Sequence, residues 1–184
     1  MSARLSAGGR GCLLALLLLH GLVGVAWAQA DAATDEIHVK AAFLYKFTSY
    51  VDWPDSAFGR TDAPFVMGVL GADMLQGDLA QLTAGRKVHE RPIVVRRLQA
   101  GDPTGDLQVL FVGRSEAPRL DGARPLLVVT EADGAMPQGS MINFLLVDRH
   151  VRFEIALPSV EKAGLRMSSR LLAVAQKVYQ VEGH

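Results

Sequence analysis

The chain has 184 residues, with 19 basic and 19 acidic side chains and one cysteine. This length suffices for one domain with a substantial core. The even charge balance argues against a nucleic-acid-binding protein, which needs a basic patch.

Residues 1–28 predict a secretory signal peptide. A basic start, a short apolar run and a small-x-small cleavage motif follow one another, and the run is too short for a membrane anchor. We therefore predict a signal peptide at 1–28 and one exported domain at 29–184, although cleavage after Ala30 fits equally well. The residues that carry this interpretation are Arg4 and Arg10, Cys12 to Leu19, and Ala26-Trp27-Ala28.

Cleavage would remove two arginines and the only cysteine. The 17 basic and 19 acidic residues that remain give a net charge near −2. The mature chain cannot form a disulfide, although exported compartments allow one.

No second stretch approaches transmembrane length. We expect a soluble mature protein that does not insert into the membrane and that lies, in a Gram-negative source, in the periplasm.

The segment Val39 to Pro54, VKAAFLYKFTSYVDWP, predicts an aromatic-rich helix. It holds five of the twelve aromatic residues in the chain. We expect the helix to begin near Thr34 or Asp35 and to end at Pro54. We interpret its apolar arc as packing against the core rather than contacting a partner. At about 100° per residue this arc contains Ile37, Val39, Ala41, Phe43, Leu44, Phe47, Tyr50 and Val51.

The opposite side of this helix is the predicted partner-binding surface. Lys40 is an exception inside the apolar arc, and two interpretations are open. Its stem packs while its ammonium reaches solvent, which we favour, or the ammonium meets a buried carboxylate. The candidate partner-binding residues are Tyr45, Lys46 and Ser49, with His38 beside them and Trp53 at the helix exit.

Four apolar runs predict strands covered on both faces. Because they alternate with helical segments, they indicate βαβ units in an α/β fold. We predict a single domain with a mainly parallel central sheet flanked by helices. The strands are Phe65 to Leu70, Pro92 to Leu98, Leu107 to Val112 and Pro125 to Thr130, and the helices between them include Asp73 to about Leu82 and Glu116 to Leu120.

The region from Met141 to Leu157 predicts a C-terminal β-hairpin around Asp148-Arg149-His150. A short helix should follow from Ser159 to Gly164. Ser168 should then cap a final helix that packs on the sheet. Its predicted apolar stripe contains Leu171, Leu172, Val174, Ala175, Val178 and Tyr179.

Polar residues at strand ends are candidate ligand-binding residues. Gly71 joins a strand to a helix, a passage that can hold a phosphate. It lacks the GxGxxG spacing, so we favour a tight turn. Glu131 and Asp133 follow the fourth strand, where open α/β sheets bind ligands. The alternative that we favour for these two carboxylates is a solvated turn.

The hairpin supplies three more ligand-binding candidates. Asn143 is a lone polar residue in an apolar strand, and if it is buried its amide needs hydrogen-bond partners. Arg152 and Glu154 share one strand face. They could belong to a ligand site, pair with neighbours or with Lys40, or form the exposed face of an edge strand.

The sequence contains no pattern typical of catalysis. It has no HExxH metal motif and no GxSxG nucleophile elbow, and no cysteine remains after cleavage. We therefore predict that the protein is not an enzyme, with no catalytic residue, no metal site and no cofactor.

Six segments together resemble the YfiR family of exported bacterial proteins, over about residues 36–181. The resemblance implies one α/β domain that acts as a periplasmic regulator. Such proteins bind the periplasmic part of an inner-membrane diguanylate cyclase and repress it, which lowers cyclic di-GMP and biofilm formation. The segments are VKAAFLYKFTSYVDWP, GVLGADML, RPIVVRRL, VLFV, GSMINFLLVDRHVRFEIAL and AGLRMSSRLLAVAQKV.

Two further points bear on this resemblance. Relatives carry cysteine pairs that can form disulfides, whereas the mature chain has no cysteine, so redox control does not transfer with the resemblance. The alternative function is a periplasmic small-molecule-binding sensor that acts on another signalling protein. The sequence leaves open whether the protein forms a homodimer.

Overall fold

The computed structural model describes residues 33–114, 116 and 124–180. The chain divides into two units, Met1–Glu36 and Ile37–His184. The second unit is a single α/β domain. The predicted signal peptide and nearly all of the predicted helix from Glu116 to Leu120 lie outside the described residues.

The domain alternates strands and helices as the sequence predicts, and it has four short strands beyond the six named above. The helices are α1 (33–47), α2 (Asp73–Thr83), α3 (Leu157–Lys162) and α4 (Ser169–Val174), and a 3-10 turn spans Asp55–Ala57. The strands are β1 (Val51–Asp52), β2 (Phe65–Leu70), β3 (Lys87–Val88), β4 (Arg91–Leu98), β5 (Val109–Val112), β6 (Leu127–Thr130), β7 (Ile142–Val147), β8 (His150–Ala156), β9 (Arg166–Met167) and β10 (Lys177–Tyr179).

Eight strands form one sheet in the order β10-β8-β7-β6-β5-β2-β4-β3. The strands from β7 to β4 pair in parallel, and so do β10 and β8. The β7–β8 and β3–β4 pairs are antiparallel. The sheet is therefore mixed, and the prediction of a mainly parallel sheet is wrong. The reason is that the hairpin lies inside the sheet rather than beside it.

One face of the sheet carries the main core. Alternate strand residues pack there against apolar side chains from all four described helices. Phe47 of α1 lies 5.9 Å from Phe144 and 5.2 Å from Phe153, measured between ring centroids. Burial of each such ring is worth about 1.5–3 kcal/mol. The aromatic arc of α1 therefore anchors the core, as we interpreted it.

The other face of the sheet has a smaller apolar core and a polar region. The apolar part centres on β2, β5 and β6. An added Cβ at Gly68 would lie 2.6 Å from a methyl carbon of Leu98, so glycine allows the close approach there. The polar part lies on β6, β7 and β8, where Thr130, Asn143 and Glu154 are all buried.

Helix α1 ends at residue 47 rather than at Pro54. The buried Thr48 donates its hydroxyl to the Tyr45 carbonyl at 2.6 Å, a local bond that competes with helix continuation. Val51 then pairs with Met167 in a two-stranded antiparallel sheet, β1–β9. Its burial therefore comes from a strand and not from the helical arc. Two other members of the predicted arc are exposed, Val39 at 42% and Tyr50 at 37%.

The hairpin prediction is confirmed. Strands β7 and β8 pair from Ile142↔Ile155 to Val147↔His150. The turn consists of Asp148 and Arg149, both with positive φ (49° and 62°), as a type I′ turn requires.

The prediction of a final helix through Tyr179 is wrong beyond Val174. Ser168 does cap α4, since its hydroxyl accepts from the Leu171 amide at 3.4 Å. The chain then forms β10, which adds to β8 in parallel with Val178 opposite Ile155. No helix in the described ranges has the length and apolar character needed to span a membrane.

Candidate functional site

The carboxyl ends of β2, β5 and β6 meet at one edge of the sheet, as parallel pairing requires. Gly71 follows β2, Gly113 follows β5 and Glu131 follows β6. The Gly113 amide donates to the Leu70 carbonyl at 2.8 Å. A Cβ on Gly113 would collide with the Gly71 carbonyl, so the backbone passes too closely here for another residue.

Glu131 joins α1 to this strand-end region. Its Oε2 lies 2.5 Å from the ammonium nitrogen of Lys40, which is buried. Its Oε1 accepts from the Arg114 amide at 3.2 Å. The structure therefore corrects our interpretation of Lys40, whose ammonium meets a half-buried carboxylate instead of reaching solvent. Strand β6 ends beneath α1, and Glu131, the next residue, therefore lies beside Lys40.

Asp133 lies at the solvent side of the same region. Its carboxylate is 3.5 Å from the Arg114 guanidinium, and both side chains are more than half exposed. Such an exposed pair contributes about 0–1 kcal/mol. Asp133 therefore lies at the solvent-exposed margin of the Glu131 region, as expected of a residue in a solvated turn.

Gly71 has the positive φ of a tight turn, 71°. Helix α2 begins two residues later with Asp73, whose carboxylate pairs with Arg97 at 2.5 Å. Glu116 also lies close enough that a Cβ on Gly71 would collide with its side chain. Carboxylates beside a helix N-terminus oppose anion binding, so the local charge disfavours a phosphate.

Asn143 is fully buried and every polar atom of its amide has a partner. Its Oδ1 accepts from the Thr130 hydroxyl and the Ala132 amide, each at 2.8 Å. Its Nδ2 donates to the Ala132 carbonyl at 3.2 Å and to Glu154 at 3.1 Å. This amide holds the segment after β6 against β7, as a buried amide in an apolar strand should.

Glu154 continues the same network towards the sheet edge. It is buried, with Oε2 accepting from the Tyr179 hydroxyl at 2.8 Å. Strand β10 thus covers β8, so that β8 is not an edge strand. Arg152 is exposed and donates only to the Val151 carbonyl among the described contacts. The structure brings Glu154 and Asn143 together and leaves Arg152 outside their network.

Two of the predicted partner-binding residues also stabilise the fold. Trp53 donates its indole N–H to the Gln108 carbonyl at 3.1 Å and packs edge-on against Phe65. Tyr45, which we expected at the surface, is half-buried and packs against the main core. The Arg86 guanidinium lies over its ring at 5.1 Å from the ring centre.

The freely exposed part of the α1 region is narrower and partly different. Lys46 and Ser49 are exposed as predicted. Val39 and Tyr50 are exposed as well: Val39 lies within α1, whereas the turn after residue 47 takes Tyr50 out of the helical arc. The predicted arc placed both residues against the core; for Tyr50 the reason is that the helix was expected to continue to Pro54. We call Val39, Lys46, Ser49 and Tyr50 the α1 face.

Two residues of the α1 face, Val39 and Lys46, lie on a firmly held helix, and Ser49 and Tyr50 follow in the turn directly after it. Phe47 anchors its end in the core, and the Lys40–Glu131 pair ties its middle to β6. His38 Nδ1 lies 2.6 Å from Asp78 on α2. A surface on a fixed element is suited to specific contact because little order is lost on binding.

The candidate residues either lie on an exposed surface or form hydrogen bonds and ion pairs inside the domain. Within the described residues, no three His, Cys, Asp or Glu side chains are grouped so that they could hold a metal. The carboxylates of Glu131 and Glu154 each contact protein partners. The arrangement supports rigid presentation of a surface.

The model of the YfiR/HmsC-like family matches residues 37–176, which is more than half of the chain. No curated protein sequence matches the chain. This family is regulatory and generally periplasmic. The resemblance found in the sequence is thus confirmed: the chain belongs to the YfiR/HmsC-like family.

Proposed function

We propose that this protein is a periplasmic regulator that binds the periplasmic domain of an inner-membrane diguanylate cyclase and holds the cyclase inactive. The observation that carries the proposal is the family match over residues 37–176, which covers almost all of the α/β domain. Export by the predicted signal peptide would bring the domain to that compartment. Repression would lower cyclic di-GMP and biofilm formation.

Repression by contact requires a difference in affinity. The domain must bind the inactive conformation of the cyclase more tightly than the active one, because equal affinity for both shifts nothing. A shift from 1:99 to 99:1 needs a preference of about 10⁴-fold. No catalytic step by this protein is needed, which is consistent with a fold that presents surfaces.

The α1 face supports this role. Lys46 and Ser49 are exposed, and Val39 and Tyr50 add apolar area beside them. A mixed apolar and polar patch on a fixed helix and the turn that follows it is typical of a contact surface. We propose that these side chains contribute to cyclase binding.

The test is the level of cyclic di-GMP after deletion of this gene in a strain whose membrane cyclase gene is intact. The proposal predicts a rise, reversed by the full-length gene and not by one that lacks residues 1–28. The second complementation separates a periplasmic role from a cytoplasmic one. An unchanged level of cyclic di-GMP after deletion would count against the proposal.

A further inference from the structure

Strand β4 has a long outer edge, and the described strands cover only the first part of it. It pairs with β2 along Ile93–Leu98. On its other side β3 pairs only with Arg91 and Pro92, and the Ile93 amide makes a last bond to the Arg86 carbonyl at 3.2 Å. From residue 94 to 98, no strand among the described residues pairs with this edge.

The direction of the free backbone groups follows from the Ile93 bond. In a strand, both backbone polar groups of one residue point to the same side, and successive residues alternate. Since Ile93 points to the outer side, Val95 and Arg97 point there too, while Val94 and Arg96 face β2. The amides and carbonyls of Val95 and Arg97 therefore form a template for an added strand.

The side chains at this edge determine which kind of segment could bind there as an added strand. Val94 is 40% exposed, an apolar contact on one face of the sheet. Five basic residues lie between 86 and 97, against three carboxylates that pair with them, which leaves a balance of +2. The bases are Arg86, Lys87, Arg91, Arg96 and Arg97, and the carboxylates are Glu90, Asp73 and Asp106.

This local excess stands out because the exported domain as a whole carries a net charge near −2. The basic edge is also continuous with α1, since Arg86 lies over the Tyr45 ring. An extended segment with acidic side chains matches both the backbone template and the charge.

We propose that the outer edge of β4, residues 94–98, accepts an extended acidic segment of the cyclase periplasmic domain as an added β-strand. This inference rests on the proposed function and names the contact through which it acts. The Val95 and Arg97 backbone would supply hydrogen bonds. Arg96 and Arg97 are each paired with an aspartate, so the excess positive charge of Arg86 and Arg91 beside this edge would select an acidic segment over a neutral one.

The test uses Val95→Pro with Val95→Ala as its matched control. Proline at position 95 removes an outward amide and leaves the hydrogen bonds to β2 intact. Edge strands tolerate proline at such outward-facing positions. Alanine removes the same side chain but keeps the amide. We expect Val95→Pro to weaken binding to the purified periplasmic domain of the cyclase at least about tenfold, and Val95→Ala to leave it within about twofold. Isothermal titration calorimetry measures both affinities.

A second readout covers the case in which Val95→Pro fails to fold. Hydrogen exchange of the wild-type complex should slow at the Val95 and Arg97 amides relative to the free protein. Equal exchange at those amides in the complex, or a folded Val95→Pro protein that binds normally, would overturn the edge proposal alone. A wild-type protein that does not bind the cyclase domain would overturn both proposals, so the two failures are distinguishable.

Discussion

The ammonium of Lys40 lies 2.5 Å from a carboxylate oxygen of Glu131, and this ion pair joins the first helix to the end of β6. Only 9% and 16% of the two side chains are exposed. The pair spans 91 positions of sequence. It fixes α1 over the sheet and so fixes the orientation of the α1 face.

Removing one member of this pair should destabilise the domain. Lys40→Met leaves the Glu131 carboxylate without this cation, and Glu131→Leu removes the carboxylate that lies against the Lys40 ammonium. We expect each to lower the free energy of unfolding by about 3 kcal/mol, measured by urea denaturation. Asp133→Asn, at an exposed ion pair, is the control and should cost less than about 1 kcal/mol.

The double variant sharpens this prediction. Lys40→Met combined with Glu131→Leu should cost clearly less than the sum of the single changes, because no uncompensated charge is left. Additive costs would show that the two side chains act independently and would contradict the role given to the pair.

Asn143→Ala should be among the most costly substitutions of a polar residue. It removes four hydrogen bonds and leaves the Ala132 backbone and Glu154 with unsatisfied groups. We expect a loss of about 3 kcal/mol in the free energy of unfolding. Arg152→Ala, an exposed change in the neighbouring strand, should stay within about 0.5 kcal/mol. A loss below about 1 kcal/mol for Asn143→Ala would argue against the network.

Tyr179→Phe tests whether the tyrosine hydroxyl holds the edge strand. The change keeps the ring and removes the 2.8 Å bond to Glu154. We expect a cost of about 1–2 kcal/mol and faster amide exchange in β10 and β8. Unaltered exchange there would mean that backbone pairing alone holds β10. Gln180→Ala, just beyond the strand, serves as the control.

Variants of the α1 face should separate binding from stability. Lys46→Glu and Ser49→Ala alter exposed side chains and should leave the free energy of unfolding within about 0.5 kcal/mol, while Lys46→Glu weakens cyclase binding. Tyr45→Ala does not suit this purpose, because its ring packs on the core and its loss should itself cost about 1–2 kcal/mol. Normal binding by Lys46→Glu would remove the α1 face from the contact.

Strands and turns in the middle of the chain were predictable because their signals are local. The run Phe65 to Leu70 matches β2 at both ends, since every residue in it is buried. The hairpin follows from a turn that two consecutive residues define. The need of Asn143 for partners followed from one polar residue in an apolar strand, although the sequence did not identify those partners.

The features that the sequence missed depend on residues far apart. Strand β10 exists because Val178 and Tyr179 add to β8, whereas their spacing also fits a helix. The end of α1 at residue 47 depends on pairing of Val51 with Met167. The partner of Lys40 likewise could not be identified without the sheet order, which places the end of β6 beneath α1.

The central claim is tested most directly by adding the purified mature protein to membranes that contain the cyclase and measuring cyclic di-GMP synthesis. The protein must be supplied on the periplasmic side, in spheroplasts or right-side-out vesicles loaded with GTP. The account predicts that synthesis falls as the protein is added and that Lys46→Glu shifts the inhibition to higher concentration. Synthesis that is unchanged at saturating protein, with the cyclase active, would contradict it.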